Sequence, residues 1–74
     1  MIGNKLYLEF AATVDRIVGR HNAAKQSGDT ATMEKLKSGA ETVSASVLHY
    51  EICGQISSEQ SAILRAALAP ILLI

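Results

Sequence analysis

The chain has 74 residues, of which 49% are apolar and 19% are charged, and its seven basic side chains balance seven acidic ones. This composition is too apolar for a disordered chain. The lack of a basic excess argues against a non-specific grip on nucleic acid. A chain this short forms a single domain, residues 1–74, and such domains rarely build a sufficient core without a disulfide, a metal or a partner.

The sequence shows no disulfide and no metal site that would supply the missing stability. Cys53 is the single cysteine, and the two histidines, His21 and His49, lie far apart in the chain. One cysteine cannot form an internal disulfide, and these residues lack the spacing of metal ligands. We therefore expect no metal and no cofactor, and we expect association between copies of the chain to supply additional burial.

A first helix is predicted over about residues 4–26. Within this stretch, mostly apolar residues recur at alternating steps of three and four, and the series is Tyr7, Phe10, Val14, Ile17, His21 and Ala24. Such spacing is typical of a helix that packs along its length against another helix. Gly28 suits the left-handed residue that follows a helix, and Asp29 or Thr30 can cap the next one.

A second helix is predicted over about residues 30–55. It carries the same spacing in the series Met33, Leu36, Ala40, Val43, Val47, Tyr50 and Gly54. If the chain reverses at Gly28, the two series face each other, with Val14 opposite Val43 and Phe10 opposite Val47. Because the two patterns share one centre, the sequence predicts an antiparallel helical hairpin.

A short apolar third helix is predicted over about residues 58–69 or beyond. Ser57 and Gln60 fit a capping box at its start, and Pro70 is expected to end or kink it. The 13 residues from Ala62 to Ile74 contain one polar side chain, Arg65. A membrane span takes about 20 apolar residues, so this stretch is too short to cross a membrane.

The predicted fold is therefore all-α, a hairpin with the third helix docked at its open end. The apolar residues of the third helix surround it, so one hairpin cannot cover them all, and we expect a helical-bundle homo-oligomer of two or more copies. The predicted interface residues are Leu48, Ile52, Ile63, Leu64, Leu68, Ile71 and Leu72.

The surplus of apolar helix surface predicts a non-catalytic, cytoplasmic interaction protein. We expect it to bind a protein partner as a homo-oligomer, and to act as an inhibitor, adaptor or accessory factor of the kind that small mobile-element genomes encode. The sequence shows no glycine-rich phosphate loop and no paired catalytic carboxylates, and Ser57 and Ser58 are better explained as helix caps than as nucleophiles. No specific nucleic-acid signal is present.

Two alternatives remain open at this point. In the first, the oligomer binds an anionic small molecule such as a nucleotide at a protomer interface, through Arg16, Arg20, His21 and Lys25. The same residues are also explained without a ligand. Arg16, Arg20 and Lys25 are then ordinary surface charges, and His21 is a member of the packing series of the first helix. In the second alternative, the apolar segment 63–74 binds a membrane surface without spanning it.

Overall fold

The computed structural model describes residues 4–73, and these form three α-helices without a β-strand. Helix α1 is Lys5–Ser27, helix α2 is Thr30–Ile52 and helix α3 is Ser58–Leu72. The predicted all-α class is therefore confirmed. The described part measures 42 × 18 × 14 Å, and its long dimension fits a helix of 23 residues with a rise of about 1.5 Å per residue plus its end groups.

The turn between α1 and α2 forms through local hydrogen bonds. Gly28 adopts φ +74°, and the Asp29 N–H donates to the Ala24 carbonyl at 2.9 Å. The Asp29 carboxylate accepts from the Thr32 hydroxyl at 2.6 Å and from the Thr32 N–H at 3.1 Å. These two bonds hold the pKa of the Asp29 carboxyl below its usual value. The predicted left-handed Gly28 and the predicted Asp29 cap are both confirmed.

Helices α1 and α2 meet at the end opposite this turn. The Asn4 amide donates to the Gln55 carbonyl at 2.7 Å, and the rings of Phe10 and Tyr50 pack edge-on with centroids 5.6 Å apart. Tyr50 lies one helical turn from Val47, which is the residue predicted to face Phe10. The buried residues of α1 and α2 all belong to the two predicted series, and they are Val14, His21, Ala24, Ala40 and Val47.

Helix α2 ends three residues earlier than the predicted boundary at residue 55. Gly54 adopts φ +78°, and the Gln55 N–H donates to the Tyr50 carbonyl at 2.9 Å. A left-handed residue with such a bond closes the helix C-terminus. Gly54 therefore belongs to the cap and not to the packing series in which the sequence placed it.

Helix α3 begins where predicted and continues through Pro70. Ser57 and Gln60 form the predicted capping box, with both bonds 3.0 Å long. Pro70 lies inside the helix, and the Leu73 N–H still donates to the Ala69 carbonyl at 3.0 Å. Of the two predicted effects of Pro70, one does not occur: the helix does not end there but extends beyond residue 69 to Leu72. Proline has no backbone N–H, so the Ala66 carbonyl loses its usual hydrogen-bond donor. Ala66 is exposed, and water can donate to this carbonyl instead.

Helix α3 contacts both α1 and α2, and it is not confined to the end of the molecule opposite the α1–α2 turn. Near the start of α3, the Asn4 Nδ2 lies 3.4 Å from Gln60 Oε1. The last turn of α3 lines a cleft together with His21, close to the turn between α1 and α2. Leu48 and Ile52 remain exposed and are not covered by α3. The buried residues of α3 follow one another at intervals of three, four and three positions, and they are Ser61, Leu64, Leu68 and Ile71.

Asn4 connects the start of α1 with α3 and with the segment between α2 and α3, and its removal is expected to destabilise the protein. Its Oδ1 caps α1 by accepting from the Tyr7 N–H at 3.2 Å, while its Nδ2 donates to Gln55 and Gln60. Asn4→Ala should lower the free energy of unfolding by about 1–2 kcal/mol, because a cap and bonds to neighbouring elements are lost together. Urea denaturation followed by circular dichroism measures this change.

Asn4→Asp separates the two contributions. Aspartate keeps the oxygen that caps α1, but it lacks the N–H groups that reach Gln55 and Gln60. We expect its stability to lie between those of Asn4→Ala and the unaltered protein. Equal stability of Asn4→Asp and the unaltered protein would show that the bonds between elements contribute nothing.

Candidate functional site

His21 differs in burial from the three basic residues that are predicted to bind an anion with it. The side chain of His21 is 4% exposed, whereas Arg16, Arg20 and Lys25 are exposed on α1. His21 also lines a cleft at the turn end of the molecule. Binding of an anion by these four residues therefore stays a prediction.

The cleft that contains His21 opens at the turn end of the molecule and has a volume of about 250 Å³. It lies between the beginning of α2 and the end of α3. His21 and Ile71 are buried, Thr30 and Glu34 are exposed, and the remaining lining residues, Met33 and Lys37, are half-buried. The cleft thus has an apolar interior with one buried imidazole and a polar rim.

The imidazole of His21 makes no hydrogen bond to any residue between 4 and 73. The side chain is 4% exposed and borders the cleft. Water or another molecule in the cleft can therefore reach the ring.

Sequence reasoning found part of this cleft and missed the rest. His21 and Met33 both belong to the predicted packing series, and the turn at Gly28 brings the ends of those series together. Ile71 was assigned to an interface between copies, because the path of α3 was unknown. Thr30, Glu34 and Lys37 were not assigned to a ligand site, and no local pattern distinguishes them from ordinary surface residues.

The predicted interface residues divide into a buried and an exposed group. Leu64, Leu68 and Ile71 are buried against α1 and α2 within one chain, and Leu72 is half-buried. These three buried side chains are not on the surface of the protomer. The exposed members of the predicted interface are Leu48, Ile52 and Ile63.

The outward side of α3 is apolar over most of its length. Between residues 62 and 73, the residues classed as exposed are all apolar. We call these residues, together with the cap Leu73, the outer face of α3: Ala62, Ile63, Ala66, Ala67, Pro70 and Leu73. Ile63 is 57% exposed and Leu73 is 85% exposed. Single exposed apolar residues are normal, but a continuous apolar face is typical of an interaction surface.

Arg65 is the one charged residue of this stretch, and it faces α2 instead of lying on the outer face. Its Nε donates to Ser61 Oγ at 3.1 Å, and its Nη2 lies 3.7 Å from Glu51 Oε1 on α2. A partly exposed ion pair of this length adds little stability. The pair directs the guanidinium of Arg65 toward α2, while 41% of the side chain remains exposed.

Residues 4–73 contain no group of three histidine, cysteine or acidic side chains arranged to hold a metal ion. None of their helices is long and apolar enough to cross a membrane. Cys53 is exposed, with its Sγ 3.7 Å from His49 Nε2. Ser57 acts as the cap of α3, as predicted, because its Oγ accepts from the Gln60 N–H.

Comparisons of the chain with protein-family models, with curated proteins and with solved structures give no match. We therefore infer the function from the outer face of α3.

Proposed function

We propose that this chain is a small, cytoplasmic, non-catalytic helical protein that acts by binding other proteins. It is an antiparallel hairpin closed by α3, it associates with copies of itself, and the assembly engages a protein partner as an inhibitor, adaptor or accessory factor. The observation that carries the proposal is the outer face of α3, on which no exposed side chain is polar.

The size of the exposed apolar side chains supports association. Ile52 is 77% exposed on α2, and Ile63 and Leu73 are largely exposed on α3. Removing apolar surface from water is favourable by about 25 cal/mol per Å², or about 1.5–3 kcal/mol for a whole large aliphatic side chain. Burying these three side chains therefore contributes several kcal/mol, a large amount beside the total stability of about 5–15 kcal/mol that is usual for a domain.

The arrangement of small residues on the outer face of α3 supports contact between two copies of this helix. Ala62 and Ala66 are one turn apart, and Ala67 adjoins them. Small side chains allow two helix axes to approach to about 8 Å, while Ile63 and Leu73 fill the space at either side. Closed twofold dimers are the commonest symmetric assembly, so we propose that two α3 helices pack across a twofold axis.

Ile63→Lys is expected to convert the assembly into monomers while the fold is kept. The substitution places a charge beside the alanines of the proposed contact. The side chain is largely exposed in the single chain, so the intramolecular core is unchanged. Light scattering after size-exclusion chromatography measures the mass, and circular dichroism verifies the helices. Ala12→Lys, at an exposed position on α1, is the matched control and should leave the mass unchanged.

Two outcomes would contradict the proposal. One is an unaltered protein that stays monomeric at micromolar concentration, and the other is an Ile63→Lys variant with the mass of the unaltered assembly. A monomer that sediments with liposomes would support the membrane-surface alternative instead. Truncation after Gln60 is a poor test, because it also removes Leu64 and Leu68 from the core of the single chain.

A further inference from the structure

We propose that His49 and Cys53 form one half of a zinc site, and that the same pair from a second copy of the chain completes it. No metal was expected from the sequence, and within residues 4–73 a single chain offers no group of three metal-binding side chains. The pair lies at the end of α2, away from the outer face of α3. The inference therefore goes beyond the proposed contact between two α3 helices and does not depend on it.

The distance between the two side chains matches that of two ligands on one zinc ion. Cys53 Sγ lies 3.7 Å from His49 Nε2. Zinc binds thiolate sulfur at about 2.3 Å and imidazole nitrogen at about 2.0–2.1 Å, and at a tetrahedral angle two such ligands lie about 3.6 Å apart. The two atoms therefore already have the separation that a shared zinc ion requires.

The helix is responsible for this spacing. His49 and Cys53 are four positions apart, and residues at this interval lie on the same face of a helix one turn apart. Two histidines at the same interval on one helix hold zinc in the HExxH motif. The ring of His49 also packs edge-on against Tyr50, with centroids 5.5 Å apart, which limits the orientations of the imidazole.

The ligand types favour zinc over the hard cations. Calcium and magnesium take oxygen ligands, whereas sulfur and imidazole nitrogen together suit zinc. In the chain without metal, a weak S–H···N contact joins the two side chains. A zinc ion replaces the thiol proton, which passes to the solvent, and forms one Zn–S and one Zn–N bond with each pair. Two thiolates then balance the charge of one Zn²⁺ ion.

The surroundings of the pair fit a contact with a second copy. His49 and Cys53 are exposed, so a metal ion can reach them. They are flanked by two large exposed apolar residues, Leu48 at 43% and Ile52 at 77% exposure. Burial of these side chains around the metal would stabilise the contact and limit the access of water to the site.

The number of ligands requires the second copy. A closed structural zinc site has four protein ligands, and combinations of two cysteines and two histidines are common. One chain supplies two of these. A twofold axis through the metal places an identical pair opposite the first, and such closed twofold dimers are the commonest symmetric assembly.

Zinc titration of the full-length Ile63→Lys variant tests the proposal, because this variant is expected to be a monomer without metal. Light scattering should show the mass doubling when one Zn²⁺ ion has been added per two chains, and EDTA should reverse the change. A phosphine reductant present throughout keeps Cys53 from forming a disulfide. Cobalt(II) used in place of zinc should give thiolate-to-metal absorption and the visible bands of a tetrahedral ion.

The unaltered chain separates this proposal from the proposed function. If the chain does not associate through α3, the unaltered protein is a monomer without metal, and zinc should double its mass as well. If it does associate through α3, zinc should raise the mass above that of the metal-free assembly. Failure of the α3 contact and failure of the zinc site therefore give different results.

Cys53→Ser and His49→Gln each remove one ligand at an exposed position. Each should weaken zinc binding by about 100-fold or more in competition with a coloured chelator, since loss of a residue that merely supports a ligand typically costs about 10–100-fold. Glu41→Gln, exposed about two turns earlier on α2, is the matched control and should leave zinc binding unchanged.

Three results would overturn the proposal. The first is zinc binding at one ion per chain without a change in mass, and the second is the absence of cobalt–thiolate absorption. The third is a zinc-dependent dimer that forms equally well in Cys53→Ser or His49→Gln, which would place the metal on other residues.

Discussion

Leu68→Ala is expected to lower the free energy of unfolding by about 3–4 kcal/mol. Leu68 is 0% exposed and lies in the hydrophobic core with residues of α1 and α2. Truncating a fully buried leucine removes favourable burial and leaves a cavity that closes only in part. In a chain of 74 residues the total stability is small, so the variant should melt well below the unaltered protein. Thermal and urea denaturation followed by circular dichroism measure the loss.

Ile63→Ala is the matched control on the same helix. It also truncates a large aliphatic side chain, but Ile63 lies on the outer face of α3 and contributes little to the core of the single chain. Its effect on intramolecular stability should stay below about 1 kcal/mol. Equal losses at Leu68 and Ile63 would contradict the observed orientation of α3. A folded Leu68→Ala variant that has lost only self-association would place Leu68 in an interface instead.

Val47→Asp is expected to unfold the protein. Val47 is 0% exposed and belongs to the same core as Val14 and Leu68. A carboxylate at this position has no cationic partner in the core, and an unpaired buried charge costs several kcal/mol or more. This cost is comparable with the whole stability of about 5–15 kcal/mol that is usual for a domain. The helical circular dichroism signal at neutral pH should therefore be largely lost.

Ala45→Asp introduces the same side chain two residues earlier on α2. Ala45 is exposed, so the carboxylate stays in water and its effect on the free energy of unfolding should be no more than about 0.5 kcal/mol. The two variants share the added charge and the helix, and they differ in burial. Similar melting temperatures for Val47→Asp and Ala45→Asp would show that the buried face of α2 is wrongly assigned.

The three helices, most of their caps and the buried positions of α1 and α2 could be predicted from the amino-acid sequence alone. The left-handed Gly28, the Asp29 cap and the capping box of Ser57 with Gln60 all occur where the residue types predict them. These features are local, because each depends on side chains and backbone groups within about one helical turn. Burial on α1 and α2 was predictable because their apolar residues follow the spacing of one helix face.

The path of α3 was decided only by the tertiary structure. Apolar residues surround this helix, so periodicity cannot tell which of them α1 and α2 will cover. The observed packing buries Leu64, Leu68 and Ile71 and leaves Ile63 exposed on the outer face of α3. It also turns Arg65 toward α2. Both candidate surfaces follow from this arrangement, since the cleft at His21 forms only where the end of α3 approaches the beginning of α2. That approach is a contact between residues far apart in the chain, which no local pattern encodes.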